Sequence, residues 1–130
     1  MKRSDRRLQE AHAACRFAWN MLGDASTALR IIEETLLASP SSASLVSLVF
    51  ERIRAQPVPP TREGRSDLAA MVQSLDLIDR AAFLLRVVEE LCAEDAAEVL
   101  RISAREIEAR THRATLLLMG MLSARARAAA

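Results

Sequence analysis

Glycine, proline, cysteine and aromatic residues are all scarce in this chain. Its 130 residues include three glycines, four prolines, two cysteines, three phenylalanines, one tryptophan and no tyrosine. Cys15 and Cys92 have no neighbouring cysteine and no paired histidine, which argues against both a disulfide framework and a zinc knuckle. Both lie in helical patterns and are expected as buried, reduced thiols. So little glycine leaves no Gly-rich loop to cradle a phosphate. His12 and His112 have no carboxylate or cysteine at a spacing that suggests a site, and the pairs Glu33-Glu34 and Glu89-Glu90 are adjacent instead of sharing one helix face. Neither an enzyme nor a metal or other cofactor is expected. The net charge of +1 gives the whole molecule no pull toward nucleic acid or anionic lipid, so any such affinity must come from a local patch. After the basic start Met1 to Arg7 no apolar run reaches signal-peptide or membrane-spanning length, and a cytoplasmic protein is expected.

What the chain does contain is alanine and leucine, within a composition that is 51% hydrophobic. That composition, with so few helix breakers, predicts an all-α fold with little or no sheet. The length suits one ordinary domain or two small helical modules that lean on each other. Pro57, Pro59 and Pro60 mark the one good boundary, because proline cannot continue a helix. The expected division is a helical module over 1–56, a linker over 57–66, a second module over 67–122 and a tail over 123–130, which either extends the last helix or frays.

Periodicity places the helices. Ser4 is expected to cap a first helix to about Leu22, with Leu8, Ala11, Cys15, Ala18 and Leu22 on one stripe and Gly23 as its stop. A second helix, about Ser26 to Ala38, turns Ala28, Ile31, Ile32, Thr35 and Leu36 inward. It ends at Ser39-Pro40, where the proline ring disfavours a helical Ser39. After a serine-rich turn, a third helix carries Leu45, Leu48, Val49 and Ile53, with Phe50 as a further candidate. Phe17, Trp19, Phe50 and Phe83 fall mostly on buried stripes.

Beyond the prolines, Ser66 or Asp67 caps a short helix with Leu68, Met71 and Val72 apolar. Leu77, Ile78, Ala81, Leu84, Leu85 and Val88 then recur at helical spacing. A short helix from Ala93 to Leu100 turns Ala96, Ala97 and Leu100 inward. Ser103 is the N-cap candidate of the next helix, and Glu106 occupies the capping-box position. That last helix buries Ile107, Thr111, Ala114 and Leu117 or Leu118. It turns Arg105, Glu106, Glu108, Arg110, His112 and Arg113 outward. The pattern is a helix-turn-helix.

These residues carry a resemblance. The runs Arg80 to Leu91, Glu94 to Ser103 and Ile107 to Ala114 resemble region 4 of extracytoplasmic-function (ECF) sigma factors. Leu22-Gly23-Asp24 followed by Ala28 to Leu36, and then Ser47 to Ile53, resemble region 2 of the same family. The resemblance implies a regulator of bacterial transcription initiation whose partners are RNA polymerase core and promoter DNA. It implies a DNA-facing set of Ser103, Arg105, Glu106, Arg110, His112 and Arg113, with the last helix in the major groove of the −35 element. It also implies a partner-docking set of Arg30, Glu33, Glu34 and Leu37.

The chain departs from the family in ways that point to a second reading. Arg30 inverts a charge at the polymerase-docking helix, and prolines stand where sigma factors carry a basic, aromatic strand-melting segment. Glu108 and Thr115 dilute the basic face of the last helix, and Arg101 replaces a turn glycine. Asp76, Asp79, Glu89, Glu90, Glu94, Asp95 and Glu98 make the preceding stretch acidic, which favours a basic protein partner. The sigma-like output domains of PhyR-type response regulators look similar in Ile32 to Pro40 and in the E-x-A-A-E-V-L core. That likeness implies a sigma mimic that binds an anti-sigma factor and not DNA.

Overall fold

A computed structural model describes residues 3–38, 44–56 and 68–129. Every regular element in them is helical. In chain order these are α1 (Arg3–Leu22), α2 (Ala25–Ala38), α3 (Leu45–Arg54), α4 (Leu68–Gln73), α5 (Leu77–Phe83), α6 (Ala93–Leu100) and α7 (Ala104–Ala129). A π-helical turn, Leu84–Val88, continues α5. The expected proline linker and the caps at Ser66 or Asp67 lie outside the described residues, as do Ser39-Pro40 and most of the serine turn.

The helix ends follow side-chain chemistry. Asp24 accepts the Thr27 N–H at 3.3 Å and opens α2, and Ser44 caps α3 by accepting from Ser47. Asp76 caps α5 through Ile78 N–H. Gly23 closes α1 at φ +68, a left-handed backbone that side chains resist.

α1, α2 and α3 pack on one another, and α5, α6 and α7 do the same. The two halves also meet directly, α1 against α4 and the α5 segment, and α3 against α6. One continuous apolar core results, running from Phe17, Met21, Ile31, Val49 and Phe50 to Leu85, Leu100 and Ile107. The rings of Phe17 and Phe50 lie 6.4 Å apart at a tilted angle.

Polar ties cross the same junction. Arg80 donates to the Met21 carbonyl at 2.7 Å, and to Gln73 and Leu75 carbonyls at 2.7 and 2.9 Å. It thereby satisfies helix-end carbonyls of α1 and α4 that have no partner within their own helices. Burial lowers the Arg80 pKa from its ordinary value, with the Asp76 charge opposing. Gln73 donates back to the Asn20 carbonyl at 2.6 Å. Arg16 forks onto Glu89 with contacts of 2.8 and 3.2 Å, and this hydrogen-bonded partner raises the Arg16 pKa. A Cβ on Gly23 would meet the Gln73 side chain at 3.1 Å, so the turn and the opposing helix are closely fitted.

Several inward stripes are rotated from their expected positions. On α1, Leu8 and Cys15 are exposed, and the core face is Ala14, Phe17, Ala18, Met21 and Leu22. Burying Phe17 and Met21 removes more apolar area from water than burying Leu8 and Cys15, so the larger pair sets the face. Cys92 is also exposed, contrary to expectation, because it ends the turn that enters α6. Trp19 lies on the outer side of α1 with 57% of its surface exposed. Leu36 and Val88 are likewise exposed, and of the two alternatives on α7 Leu118 is the buried one and Leu117 the exposed one. The π turn is the cause for Val88: its extra residue turns Leu84 and Leu85 inward and Val87 and Val88 outward.

Candidate recognition helix and partner face

The helix-turn-helix is built by two local devices. α6 ends at Arg101, whose backbone lies in the left-handed region at φ 57, ψ 43, and the Ile102 N–H closes the turn on the Ala97 carbonyl at 3.2 Å. Ser103 then accepts the Glu106 N–H at 3.0 Å and starts α7. Ile107, Ala114 and Leu118 anchor α7 in the core. Thr111 and Thr115 return their hydroxyls to the carbonyls four residues back, at 2.7 and 2.8 Å.

Glycine at position 101 would adopt the same backbone without the steric cost of a Cβ. Arg101→Gly is therefore expected to raise stability by up to about 1 kcal/mol, read as a higher midpoint in urea. Glu90, also at φ 57, makes a second left-handed turn between the π segment and α6. Nothing in the sequence pattern flags it except its position after a helical run.

The expected DNA-facing residues divide into two groups. Arg105 and His112 are exposed, with no ion pair among the described residues, and Ser103 acts as a cap. Arg110 is turned inward instead of outward. Its Nε meets Glu106 at 2.9 Å, and its Nη1 meets Asp79 at 3.0 Å and Asp76 at 3.4 Å. The hydrogen bond that Arg110 donates to Glu106 is the main cause raising the Arg110 pKa, against the lowering effect of partial burial. Arg113 remains largely exposed but places Nε 3.3 Å from the second oxygen of Asp79.

Asp79 was expected on an open acidic face and is instead 1% exposed. The Glu89 side chain is similarly withdrawn, against Arg16. Glu90, Glu94, Asp95 and Glu98 remain at the surface, or close to it, without an ion pair among the described residues.

On α2 the structure joins Arg30 to Glu34 at 3.3 Å, and Glu34 also meets Arg52 of α3 at 3.5 Å. Arg30 further donates to Gln56 at 3.2 Å. Glu33 and Leu37 stand outside this lattice, and Leu37 is 90% exposed. Leu29 and Leu36 lie exposed on the same helix, an apolar extension of the expected set that the inward reading of Leu36 concealed. No hydrogen bond or ion pair among the described residues links this face to α7.

Between α1, the start of α3 and the turn after the π segment lies a cleft of about 370 Å³, lined by Gln9, His12, Arg16, Val46, Glu89 and Leu91. Sequence reasoning missed it because its walls come from three separate stretches. No cluster of potential metal ligands occurs among the described residues, and no helix in them is long and apolar enough to cross a membrane.

Residues 65–118 match the sigma-70 region 4 family. The structure as a whole is similar to the sigma factor RpoE of Bartonella quintana, determined in complex with the anti-sigma factor NepR. That likeness covers 92% of this chain and 96% of the other, with a TM-score of 0.71 and 19% sequence identity. No curated protein matches the sequence significantly. The chain is thus sigma-factor-like, with a region 4 unit in its second half inside a sigma-factor fold.

Proposed function

We propose that the protein is a sigma-factor-like regulator of bacterial transcription initiation, working in the cytoplasm through RNA polymerase and promoter −35 DNA with α7 as the recognition helix. The observation that carries this reading is the region 4 match lying over the Arg101 turn, the Ser103 cap and the exposed Arg105 at the start of α7. Residues at that end of a recognition helix reach base edges while flanking cations hold phosphates. The exposed α2 residues Glu33 and Leu37, with Leu29 and Leu36 beside them, supply the polymerase-docking face.

A second reading is a sigma mimic that occupies an anti-sigma factor without binding DNA. The engagement of Arg110 and Arg113 by Asp79 supports it, since both guanidinium groups already have a carboxylate partner. The similar structure is that of a sigma factor held by an anti-sigma factor.

Fluorescence anisotropy with a −35-type duplex, at low and moderate salt, separates the two. The first reading expects salt-dependent binding that Arg105→Ala weakens, with the slope of log K against log salt flattened by about one unit if Arg105 contacts a phosphate. Absence of such binding at micromolar protein, together with a stable complex with the host's purified anti-sigma factor on size exclusion, would decide for the mimic.

A further inference from the structure

We propose that Asp79 is a built-in counter-charge that withholds the α7 arginines from nucleic-acid phosphates and so sets the DNA affinity of this helix-turn-helix. The inference rests on α7 being the recognition helix and concerns how that face is regulated.

The geometry is specific. Asp79 sits on α5, 31 and 34 residues before the arginines it meets, and is almost wholly buried. Its two oxygens are divided between them: Oδ1 accepts a hydrogen bond from Arg110 Nη1 at 3.0 Å, and Oδ2 lies in ion-pair contact with Arg113 Nε at 3.3 Å. A phosphate would compete for the same donors, because guanidinium groups bind phosphate and carboxylate through the same planar fork. Withdrawing both arginines would leave a buried carboxylate unpaired, which is costly in a way that breaking a surface pair is not.

Asp76 and Glu106 add to the hold on Arg110, at 3.4 and 2.9 Å. Three carboxylates thus face these two guanidinium groups, with Arg80 as a further cation near Asp76, so the charge of Arg110 and Arg113 is already offset where a DNA backbone would approach. A surface arginine used only for phosphate needs no partner from another helix. Two arginines converging on one buried carboxylate form a set intramolecular alternative to phosphate.

The test uses the full chain and a random-sequence duplex, so that it reports backbone affinity and does not depend on promoter reading. Asp79→Asn keeps the shape of the side chain and removes its charge. With folding checked by circular dichroism, it is expected to bind the duplex about ten-fold more tightly at low salt, with the salt slope steeper by up to about two units. Adding Arg110→Ala and Arg113→Ala to Asp79→Asn is expected to abolish the gain.

The double variant Asp76→Asn with Glu106→Gln leaves the buried group untouched, and asparagine still caps α5. It is expected to gain about three-fold, and it serves as the decisive variant if Asp79→Asn does not fold. The proposal is overturned if folded Asp79→Asn binds no more tightly than the parent, or if the gain survives loss of both arginines. It is equally overturned if Asp79→Asn does not fold and the double variant gains nothing. Equal affinity of the parent chain for random and −35 duplexes would overturn the promoter-reading role while leaving the counter-charge standing, so the two ideas fail separately.

Discussion

Phe17→Ala is expected to remove roughly a third or more of the folding stability. Phe17 has no exposed surface and packs against Phe50 at the centre of the first half. Removing a buried phenyl ring costs about 3–5 kcal/mol, against a total stability on the order of 5–15 kcal/mol for a domain of this size. Urea denaturation followed by far-UV circular dichroism should show the midpoint falling by roughly a third or more, or no folded baseline at all. Trp19→Ala, two residues away, provides the contrast. Its side chain lies outside the core, so the change should stay within about 0.5 kcal/mol. An equal loss in the two variants would contradict the face assigned to α1. Trp19 also makes a direct optical check: it is the sole tryptophan and is exposed, so an aqueous quencher should reach its fluorescence in the native state.

Arg80→Leu is expected to loosen the junction between the halves. One guanidinium donates to Met21, Gln73 and Leu75 carbonyls and to the Gln73 side chain at 3.3 Å. Leucine would leave those carbonyls without a protein partner at a partly buried site, at about 1–3 kcal/mol for each group that water does not reach. Hydrogen exchange should report the loss locally, with faster exchange at the end of α1 and around Ser74 and Leu75 and little change within α2. Arg80→Lys should recover only part of the protection, because one ammonium cannot span three carbonyls as a planar fork does. Unchanged exchange in Arg80→Leu would remove the latch from the account of how the halves are held.

If the latch behaves this way, the relation between α2 and α7 is set by the junction. Arg80 and Gln73 lie at the start of the region 4 half and reach back to the Asn20 to Gly23 turn. The candidate polymerase-docking residues and the candidate DNA-facing residues are thus carried on one core, and a change at the junction alters their mutual placement without touching either face.

The helices, the Ser103 cap, the left-handed strain at Arg101 and the region 4 resemblance are properties of local sequence. They depend on periodicity, capping and φ preference, interactions that span only a few residues, and α6 follows its expected bounds of Ala93 to Leu100 for that reason. Which face of α1 is buried, the exposure of Cys15, Cys92 and Trp19, and the extra residue of the π turn depend on what lies opposite. Alanine-rich helices such as α1 carry apolar residues on more than one side, and burial of the bulkiest side chains settles the choice.

The same limit applied to the charges. Asp79 and Arg110 read from sequence as members of two exposed faces of opposite sign, because nothing local tells a carboxylate that its partners lie on a helix some thirty residues ahead. Tertiary packing of α5 against α7 brings them to 3.0 Å and buries the acid. Local sequence therefore specifies a sigma-like helix-turn-helix, whereas long-range packing decides which of its arginines remain free, since ion pairing depends on distance in space and not along the chain.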